Sequence, residues 1–450
     1  MKHDLTHGSV LKNIILFSLP YLLSYFLQTL YGMADLYIIG QFNGTSQITA
    51  VSIGSQIMHM ITVMIVGLAM GTTVSIGQAI GAKQQKRAAN IIGNTATLFM
   101  LLSIIITLLL LLTRNSIVSV MSTPSEAVKG TTDYLTICFI GIPFITAYNI
   151  ISSIFRGLGD SKSPMYFIAI ACAANIALDY IFIGAMHLGP AGAAFGTTIA
   201  QTISVIIAFI MICKKKQDLF LTKECFITST PIISQILKIG FPVSLQDGFI
   251  QISFILITII VNRRGVNDAA AVGIVEKIIS FVFLVPSSML SAVSAISAQN
   301  IGAGKPHRAE QTLRYAILIC ICFGAVISTA VQFSSESIIA LFDKNPLVIT
   351  LGSQYIKSYI FDCLFAGIHF SFSGYFCALG KSGISFLHNS LSIILVRIPG
   401  AYLMSKYFTD TLFPMGLAAT TGSILSVIVC VIAFIVIKKK DTQKCRNYSK

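Results

Sequence analysis

The sequence predicts an all-α integral membrane protein with twelve transmembrane helices in two six-helix lobes, related by an internal parallel repeat. Three observations support this fold class: the apolar composition, the recurrence of long apolar segments, and a second half of the chain that repeats the first. Of the 450 residues, 55% are hydrophobic and only 11% are charged. Few soluble folds have enough interior to bury that much apolar surface.

Twelve apolar segments are long enough to cross a bilayer hydrocarbon core of about 30 Å as helices. Further spans follow the first one, and no small-residue cleavage site lies directly behind it, so we interpret it as a retained helix rather than a signal peptide. The approximate ranges are 14–40, 48–77, 91–113, 131–155, 164–186, 190–213, 236–262, 269–298, 312–334, 353–378, 384–406 and 414–437.

Lys and Arg residues concentrate on one side of the predicted membrane. With both termini inside, the inner segments hold 22 of these residues and the outer segments hold 7. Because such residues favour the cytoplasmic side, we expect both termini in the cytoplasm. The net charge of +14 is mostly this bias, and the basic runs lack interleaved aromatic residues, so we expect no nucleic-acid partner.

The repeat is visible in short sequences that recur in the same order. "GQAIGAKQQKRA" pairs with "AQNIGAGKPHRA", and "FRGLGDSKS" pairs with "FCALGKSGI". Six helices in each copy give both copies the same orientation, an arrangement that occurs in secondary transporters. The predicted units are an N-terminal lobe (1–213), a cytoplasmic linker (214–235), a C-terminal lobe (236–437) and a basic cytoplasmic tail (438–450).

A carboxylate stands inside the first predicted helix, in "YGMADLYIIG". A charge at the bilayer centre costs about 3 kcal/mol, so Asp35 is expected to face a cavity or a polar partner. With a helical rise of about 1.5 Å per residue, Asn175 and Asp179 of the fifth helix reach the same outer half of the membrane. Thr197 and Thr198 of the sixth helix do so as well. Three helices therefore place oxygen atoms at one depth.

Two carboxylates, an amide and a hydroxyl at one depth can bind a hard cation such as Na⁺ or share a proton. Tyr31 lies one turn before Asp35 on the same helix face and is a further candidate. The residues alone do not decide between H⁺ and Na⁺. A set of buried polar groups that only pair with one another is the structural alternative.

The second lobe does not repeat this acidic site, since Asp35 aligns with Ile257. Its own acids, Asp247 and Asp362, are expected near mid-membrane, where they either attract cationic substrates or belong to a buried polar network. Arg397, together with the adjacent Glu276 and Lys277, is interpreted as structural.

Pro20 and Pro242 lie inside the first helix of each lobe, at matching positions of the repeat. A proline there removes an N–H and clashes with the preceding turn, which bends or weakens the helix. The bend is either static or changes during a transport cycle.

Over nearly its whole length the chain resembles the multidrug and toxic compound extrusion (MATE) family. The matching features are two six-helix lobes, "FSLP" and "ADLYIIG" in helix 1, "FRGLGDSKSP" after helix 4 and "GFPVSLQ" in helix 7. Family members of this type build a first-lobe cation site from a helix 1 aspartate, an N-x-x-x-D on helix 5 and a helix 6 threonine. The resemblance implies this role for Asp35, Asn175, Asp179 and Thr197, and a helix 1 bend at Pro20.

The second lobe differs from a related branch, in which a helix 7 glutamate and a helix 10 aspartate carry a cation site. Gln251 stands nine residues beyond Pro242, where that glutamate is expected. The chain therefore looks like the branch that uses the first lobe. Asp247, Gln251 and Asp362 are then candidates for the cavity or for substrate contacts.

The resemblance implies a secondary antiporter, not an enzyme, in a bacterial cytoplasmic membrane. It would export organic, cationic or aromatic compounds in exchange for H⁺ or Na⁺ by alternating access. Small organic molecules and membrane lipids are the implied partners, and we expect a monomer without a cofactor. The alternatives are a lipid-linked oligosaccharide or lipid flippase of the same superfamily, a channel, and a membrane-embedded enzyme, for which H-E-x-x-H and G-x-S-x-G motifs are missing.

Overall fold

The computed structural model describes residues 4–214 and 221–448, except the side chains of residues 441, 442 and 444–448. This part of the chain is helical and contains no strand. Ten of its helices are long and apolar enough to cross a membrane, and two bent helix pairs bring the number to twelve if each pair crosses once. The predicted all-α membrane fold is confirmed.

The spans are numbered α1 to α12 in chain order. Those of the first repeat are α1 (Val10–Phe42), α2 (Thr45–Gly81), α3 (Gln85–Val120), α4 (Ser125–Ile140 and Ile142–Gly157), α5 (Lys162–Ala185) and α6 (Gly189–Lys214). Those of the second repeat are α7 (Thr230–Asn262), α8 (Val266–Gly302), α9 (Pro306–Ala340), α10 (Pro346–Tyr359 and Asp362–Ala378), α11 (Ser382–Tyr407) and α12 (Phe413–Tyr448).

Many of these helices extend several residues beyond the predicted ranges. Hydropathy marks only the part of a helix that suits the hydrocarbon core. Helical hydrogen bonds continue past that core, so the apolar segment underestimates the length of the helix.

Two of the predicted spans, 131–155 and 353–378, are bent rather than straight. The two segments of α4 meet at 49° and those of α10 at 40°. In α4 the bend has a clear cause, because Pro143 in the first turn of the second segment cannot donate a backbone hydrogen bond. The second segment of α10 begins with Asp362, and a carboxylate is favourable at a helix N-terminus.

The repeated "LG" sequences after α4 and α10 are helix-stop signals. Gly159 and Gly380 have φ angles of +88° and +71°. In both copies the next backbone N–H donates to the carbonyl five residues earlier, over 2.8 Å. A left-handed glycine with this hydrogen bond satisfies the last carbonyls of a helix. The repeat thus keeps the same backbone conformation at both positions of this one chain.

The chain divides into two compact units. The first contains the residues up to Ser244 together with Ala298–Lys305, and the second contains Leu245–Ser297 and the residues from Pro306 onward. Each has an apolar core of its own. Tyr134, Phe139 and Ile142 belong to one core cluster of the first unit, and Tyr355, Tyr359 and Ile257 belong to that of the second.

The described part of the predicted linker packs on α3 in the first unit. Lys223–Phe226 form a short 3-10 helix. The Asn94 side chain of α3 donates to two backbone carbonyls of residues 225–229 and accepts from one N–H there. Linker residues 215–220 and tail residues 449 and 450 lie outside the described residues. The predicted lobe boundaries stay a prediction.

Two repeat-related sequences of the pattern QxxG meet each other in the first unit. A Cβ on Gly81, at the end of α2, would overlap the carbonyl oxygen of Gln299. A Cβ on Gly302, at the end of α8, would in turn overlap the carbonyl oxygen of Gln78. The two helix ends therefore touch backbone to backbone, an approach that only residues without a side chain permit.

We expect Gly81→Ala and Gly302→Ala each to lower the free energy of unfolding by about 1–3 kcal/mol, because the added methyl group forces two backbones apart. The measurement is thermal unfolding of the detergent-purified variants. Gly273→Ala in α8 is the control, since a Cβ there meets no atom within 4 Å. Melting temperatures equal to that of the control would contradict the close approach.

Candidate functional site

Three helices of the first unit bring the predicted cation ligands together. The hydroxyl group of Thr197 on α6 donates to Asp35 Oδ2 on α1 over 3.3 Å. Asn175 and Asp179, one turn apart on α5, lie close enough to the Asp35 carboxyl group to interact with it electrostatically. The four residues form one cluster, which we call the first-unit site. Their role in cation binding stays a prediction.

The first-unit site is enclosed by protein. Asp35, Asn175 and Asp179 are 3%, 2% and 0% exposed, respectively. Two carboxyl groups so near one another and so far from water cannot both carry a full negative charge without a large energetic cost. A proton or a metal cation between them would remove that cost.

Several polar atoms of this site have no hydrogen-bond partner among the described residues. They are Asp35 Oδ1, both carboxylate oxygens of Asp179 and both amide atoms of Asn175. An unsatisfied buried polar group costs about 1–3 kcal/mol. Oxygen atoms of this kind are the ligands of hard cations. The unpaired atoms therefore fit a site that binds H⁺ or Na⁺ as a transported ion.

Gly196 of α6 makes room for the Asp179 carboxyl group. A Cβ at position 196 would overlap Asp179 Oδ1. In the second repeat, where "GPAGAAFGTT" aligns with "FPMGLAATTG", Gly196 corresponds to Thr420, and alignment on the shared proline places Ala401 at the position of Asp179. The first repeat thus has both the glycine and the aspartate, and the second repeat has neither. The sequence analysis missed Gly196, although this alignment contained the signal.

A small pocket adjoins the first-unit site. Its lining residues are Tyr31, Ala171, Asn175, Thr197, Ala200 and Gln201. Gln201 lies against Tyr31 and is only 6% exposed, and its Oε1 has no partner among the described residues. The sequence analysis missed Gln201, which its spacing of four residues from Thr197 would have placed on the same helix face.

The two remaining first-unit candidates lie outside this pocket. The Thr198 side chain faces the bend of α4, where a Cβ on Gly141 would lie 2.8 Å from its hydroxyl oxygen. Pro20 lies 15 residues before Asp35, about 22 Å along the helix, and α1 continues through it as a single helix. The Ser24 hydroxyl group donates to the Pro20 carbonyl over 2.7 Å. A change of bend at Pro20 stays a prediction.

The second-unit candidates are dispersed. Asp247 and Gln251 are half-buried on α7, and Asp362 is buried at the bend of α10. Arg397 of α11 lies near Asp362, and its guanidinium group donates to the Tyr359 hydroxyl over 2.6 Å. These residues do not reproduce the acidic pair of the first unit.

The second-unit positions equivalent to the first-unit acids are apolar. When the two repeats are aligned on their shared proline, Asp35 corresponds to Ile257 and Asp179 corresponds to Ala401. Both Ile257 and Ala401 belong to one hydrophobic cluster. Both repeats nevertheless keep a π-helical turn in the same span, Tyr180–Ala185 in α5 and Ile393–Arg397 in α11. Such turns are frequent at functional sites.

Comparison with known proteins identifies the family. The MatE family model matches residues 20–181 and 242–403, which together make up more than half of the chain. The chain belongs to the MatE family. The two matches begin at Pro20 and Pro242, the prolines that the repeat aligns. The predicted internal repeat is therefore confirmed, and so is the resemblance to MATE transporters.

Curated relatives and solved structures agree with this assignment. "Probable multidrug resistance protein YpnP" of Bacillus subtilis (strain 168) is 30% identical over 405 residues, covering 90% of this chain and 91% of the relative. "Probable multidrug resistance protein YoeA" of the same organism is 27% identical and covers 89% of this chain and 88% of the relative. The structure entitled "Outward-facing conformation of a multidrug resistance MATE family transporter of the MOP superfamily" superposes with a TM-score of 0.90 at 22% identity, covering 97% of this chain and 98% of that chain.

The comparisons also bear on class and location. MatE proteins are transporters, which agrees with the expectation that the chain is not an enzyme. The apolar helices and the bacterial relatives indicate a multi-pass bacterial membrane protein. Among residues 4–214 and 221–448, no three His, Cys, Asp or Glu side chains form a group that could hold a metal ion.

We expect Gly196→Ala to reduce gradient-driven transport by about tenfold or more, since an added Cβ displaces the Asp179 carboxyl group. A displacement that costs about 1.4 kcal/mol of cation binding corresponds to a factor of ten. Transport into proteoliposomes is the measurement, at matched protein content. Gly32→Ala of α1 is the control, because a Cβ there meets no atom within 4 Å; equal activity of the two variants would show that Gly196 has no part in the site.

Proposed function

We propose that this protein exports organic, cationic or aromatic compounds in exchange for H⁺ or Na⁺ by alternating access. The observation that carries the proposal is the buried pair of Asp35 and Asp179, whose carboxyl groups interact electrostatically and of which Asp35 accepts a hydrogen bond from Thr197. The substrate class rests on the relatives, whose names describe multidrug resistance and multidrug export.

The acidic pair supplies a reason for coupling. Without a cation, repulsion between Asp35 on α1 and Asp179 on α5 favours separation of the two helices. A bound proton or Na⁺ removes the repulsion and lets α1, α5 and α6 pack together. Cation binding thereby changes the free-energy difference between two arrangements of the helices, which is what exchange transport requires.

A typical membrane potential supplies enough free energy to drive substrate export. One charge that crosses 100 mV is worth about 2.3 kcal/mol, and this corresponds to a substrate concentration ratio of nearly fiftyfold. For a neutral substrate, a single cation for each organic molecule therefore suffices for export against a substantial gradient. A singly charged cationic substrate exchanged one for one moves no net charge, so its export depends on the concentration gradient of the coupling cation or on a second cation.

We further propose that both termini face the cytoplasm and that the protein works as a monomer surrounded by lipid. The excess of Lys and Arg in the inner segments supports the orientation. The large apolar side chains exposed along α3, among them Leu101, Ile105 and Leu112, suit contact with lipid tails.

We expect Asp35→Asn and Asp179→Asn each to abolish gradient-driven efflux while the protein remains folded in the membrane, because the amide neither binds a proton nor neutralises a cation. The measurement is efflux of a cationic dye from proteoliposomes under an imposed pH gradient or an imposed Na⁺ gradient. Asp133→Asn is the matched control, since Asp133 is an exposed acid on α4.

The gradient that drives efflux in the wild type identifies the coupling ion. Loss of driven efflux in both site variants and its retention in Asp133→Asn would support the proposal. Coupled efflux that persists in Asp35→Asn would overturn it and return the acidic pair to a structural role.

A further inference from the structure

A layer of aromatic side chains crosses the interior of the first unit, apart from the first-unit site. Phe17 and Tyr21 belong to α1, Phe155 to the second segment of α4 and Phe167 to α5. The rings pack in two pairs, Phe17 with Tyr21 and Phe155 with Phe167, and the centroids are 5.5 Å apart in both. Each of the four side chains is at most 3% exposed. Together with Arg156 they form what we call the inner layer.

The inner layer lies well away from the acidic pair and on one side of it. Tyr21 is 14 residues before Asp35 on α1, and Phe167 is 12 residues before Asp179 on α5. At the helical rise, these separations correspond to about 21 Å and about 18 Å. The span α4 ends at Gly157 on the same side. Under the proposed orientation, the layer therefore lies between the first-unit site and the cytoplasm.

The inner layer contains a buried positive charge. Arg156, the next-to-last residue of α4, is 8% exposed, and its guanidinium carbon lies 4.4 Å from the centre of the Tyr21 ring. Tyr21, Tyr25 and Tyr148 are the groups that act on its charge. No carboxylate of the part of the chain that the structure describes forms an ion pair with it. The ring attracts the guanidinium group through its quadrupole but does not neutralise it.

A buried arginine without an acidic partner needs an explanation. Removal of a charge from water costs free energy that an ion pair normally offsets in part. Intramembrane basic residues are therefore rare, and they mark functional sites by default. The proposed function does not use Arg156.

The second repeat lacks this arginine. Where "FRGLGDSKS" aligns with "FCALGKSGI", Arg156 corresponds to Cys377, which is also buried. The backbone is alike in the two copies, since Gly159 and Gly380 both have positive φ angles three residues later. The framework therefore accepts a small side chain at this position. Like Gly196, the arginine occurs in the repeat that has the acidic pair and is absent from the other.

Two aromatic residues of the first unit also change character in the second repeat. At the same offset, Tyr148 and Phe167 correspond to His369 and His388. The Nε2 atoms of these histidines lie 3.4 Å from Ser423 Oγ and 2.9 Å from Ser373 Oγ, respectively. None of the positions equivalent to the inner layer carries Arg or Lys. The charge of the layer is thus specific to the first unit.

We propose that Arg156 is the barrier that keeps the coupling cation from passing alone between the first-unit site and the cytoplasm. A fixed guanidinium charge in a narrow passage repels cations, as other electrostatic barriers in membrane transport proteins do. Exchange requires such a barrier, because a cation that crosses without substrate dissipates the gradient. The inference rests on the proposed cation exchange.

The barrier has a means of opening. Arg156 belongs to α4 and the ring that holds it, Tyr21, belongs to α1. Separation of these two helices in the alternate arrangement would displace the charge from the passage and let the cation leave. The same contact therefore closes the passage in one arrangement and releases it in the other.

The test measures cation movement in the absence of substrate. Proteoliposomes receive an imposed pH gradient or Na⁺ gradient at a clamped membrane potential, and internal pH or Na⁺ is followed. We expect Arg156→Gln to dissipate the gradient of the coupling ion at least about tenfold faster than the wild type, which corresponds to a barrier lower by about 1.4 kcal/mol. Arg156→Lys keeps the charge and should leak as slowly as the wild type. Arg314→Gln is the matched control, since Arg314 is an exposed arginine on α9.

A double variant distinguishes the proposed route from a packing defect. A cation that passes through the first-unit site needs Asp35, so the addition of Asp35→Asn to Arg156→Gln should return the leak to the wild-type rate. A hole caused by poor packing would persist in the double variant. Arg156→Cys introduces the side chain that the second repeat has at this position, and it keeps the test decisive if Arg156→Gln does not reach the membrane.

Three results would overturn the barrier. They are a wild-type leak rate in both Arg156→Gln and Arg156→Cys, an equally fast leak in Arg156→Lys, and a leak that persists after Asp35→Asn is added. In each case cation-driven efflux by the wild type would still stand, so the proposed function would survive. Wild-type protein without gradient-driven efflux of any kind would instead refute the proposed function, and the barrier with it.

Discussion

The proximity of two buried carboxyl groups is the constraint on which the rest of the first unit depends. Asp35 and Asp179 interact electrostatically and are almost fully buried, and repulsion between two such charges is barely screened there. Two residues of α6 help the fold to tolerate the pair, because Thr197 donates a hydrogen bond to Asp35 and Gly196 leaves space for a carboxyl oxygen of Asp179.

The internal repeat keeps backbone geometry and changes side-chain chemistry. Gly159 and Gly380 end equivalent helices in the same left-handed conformation. Both α5 and α11 also contain a π-helical turn, although the repeat does not align the two turns residue for residue. At the positions of Asp35 and Asp179, however, the second repeat has Ile257 and Ala401 in an apolar cluster. One copy of the repeat thus keeps an acidic site, while apolar side chains occupy the equivalent positions of the other copy.

The second unit places its polar groups elsewhere. Arg397 donates to Tyr359 at the bend of α10, and the two histidines with their serine partners continue from that bend along α10 and α11. Burial of so many polar groups in an otherwise apolar bundle costs free energy unless they have partners. The two units therefore bury different polar groups. The first has a pair of acidic side chains, and the second has imidazole and hydroxyl groups.

The sequence by itself determined the number of spans, the repeat and the four residues that share a depth, because apolar length, charge bias and helical rise are local properties. It did not predict the bends of α4 and α10, the contact between Gly81 and Gln299, the role of Gly196 or the pairing of His369 with His388. Those features depend on which helix faces meet, and side chains distant in sequence meet only after tertiary packing. The depth of a residue along its helix could be predicted from the sequence. Which neighbouring helix its side chain faces depends on the tertiary packing.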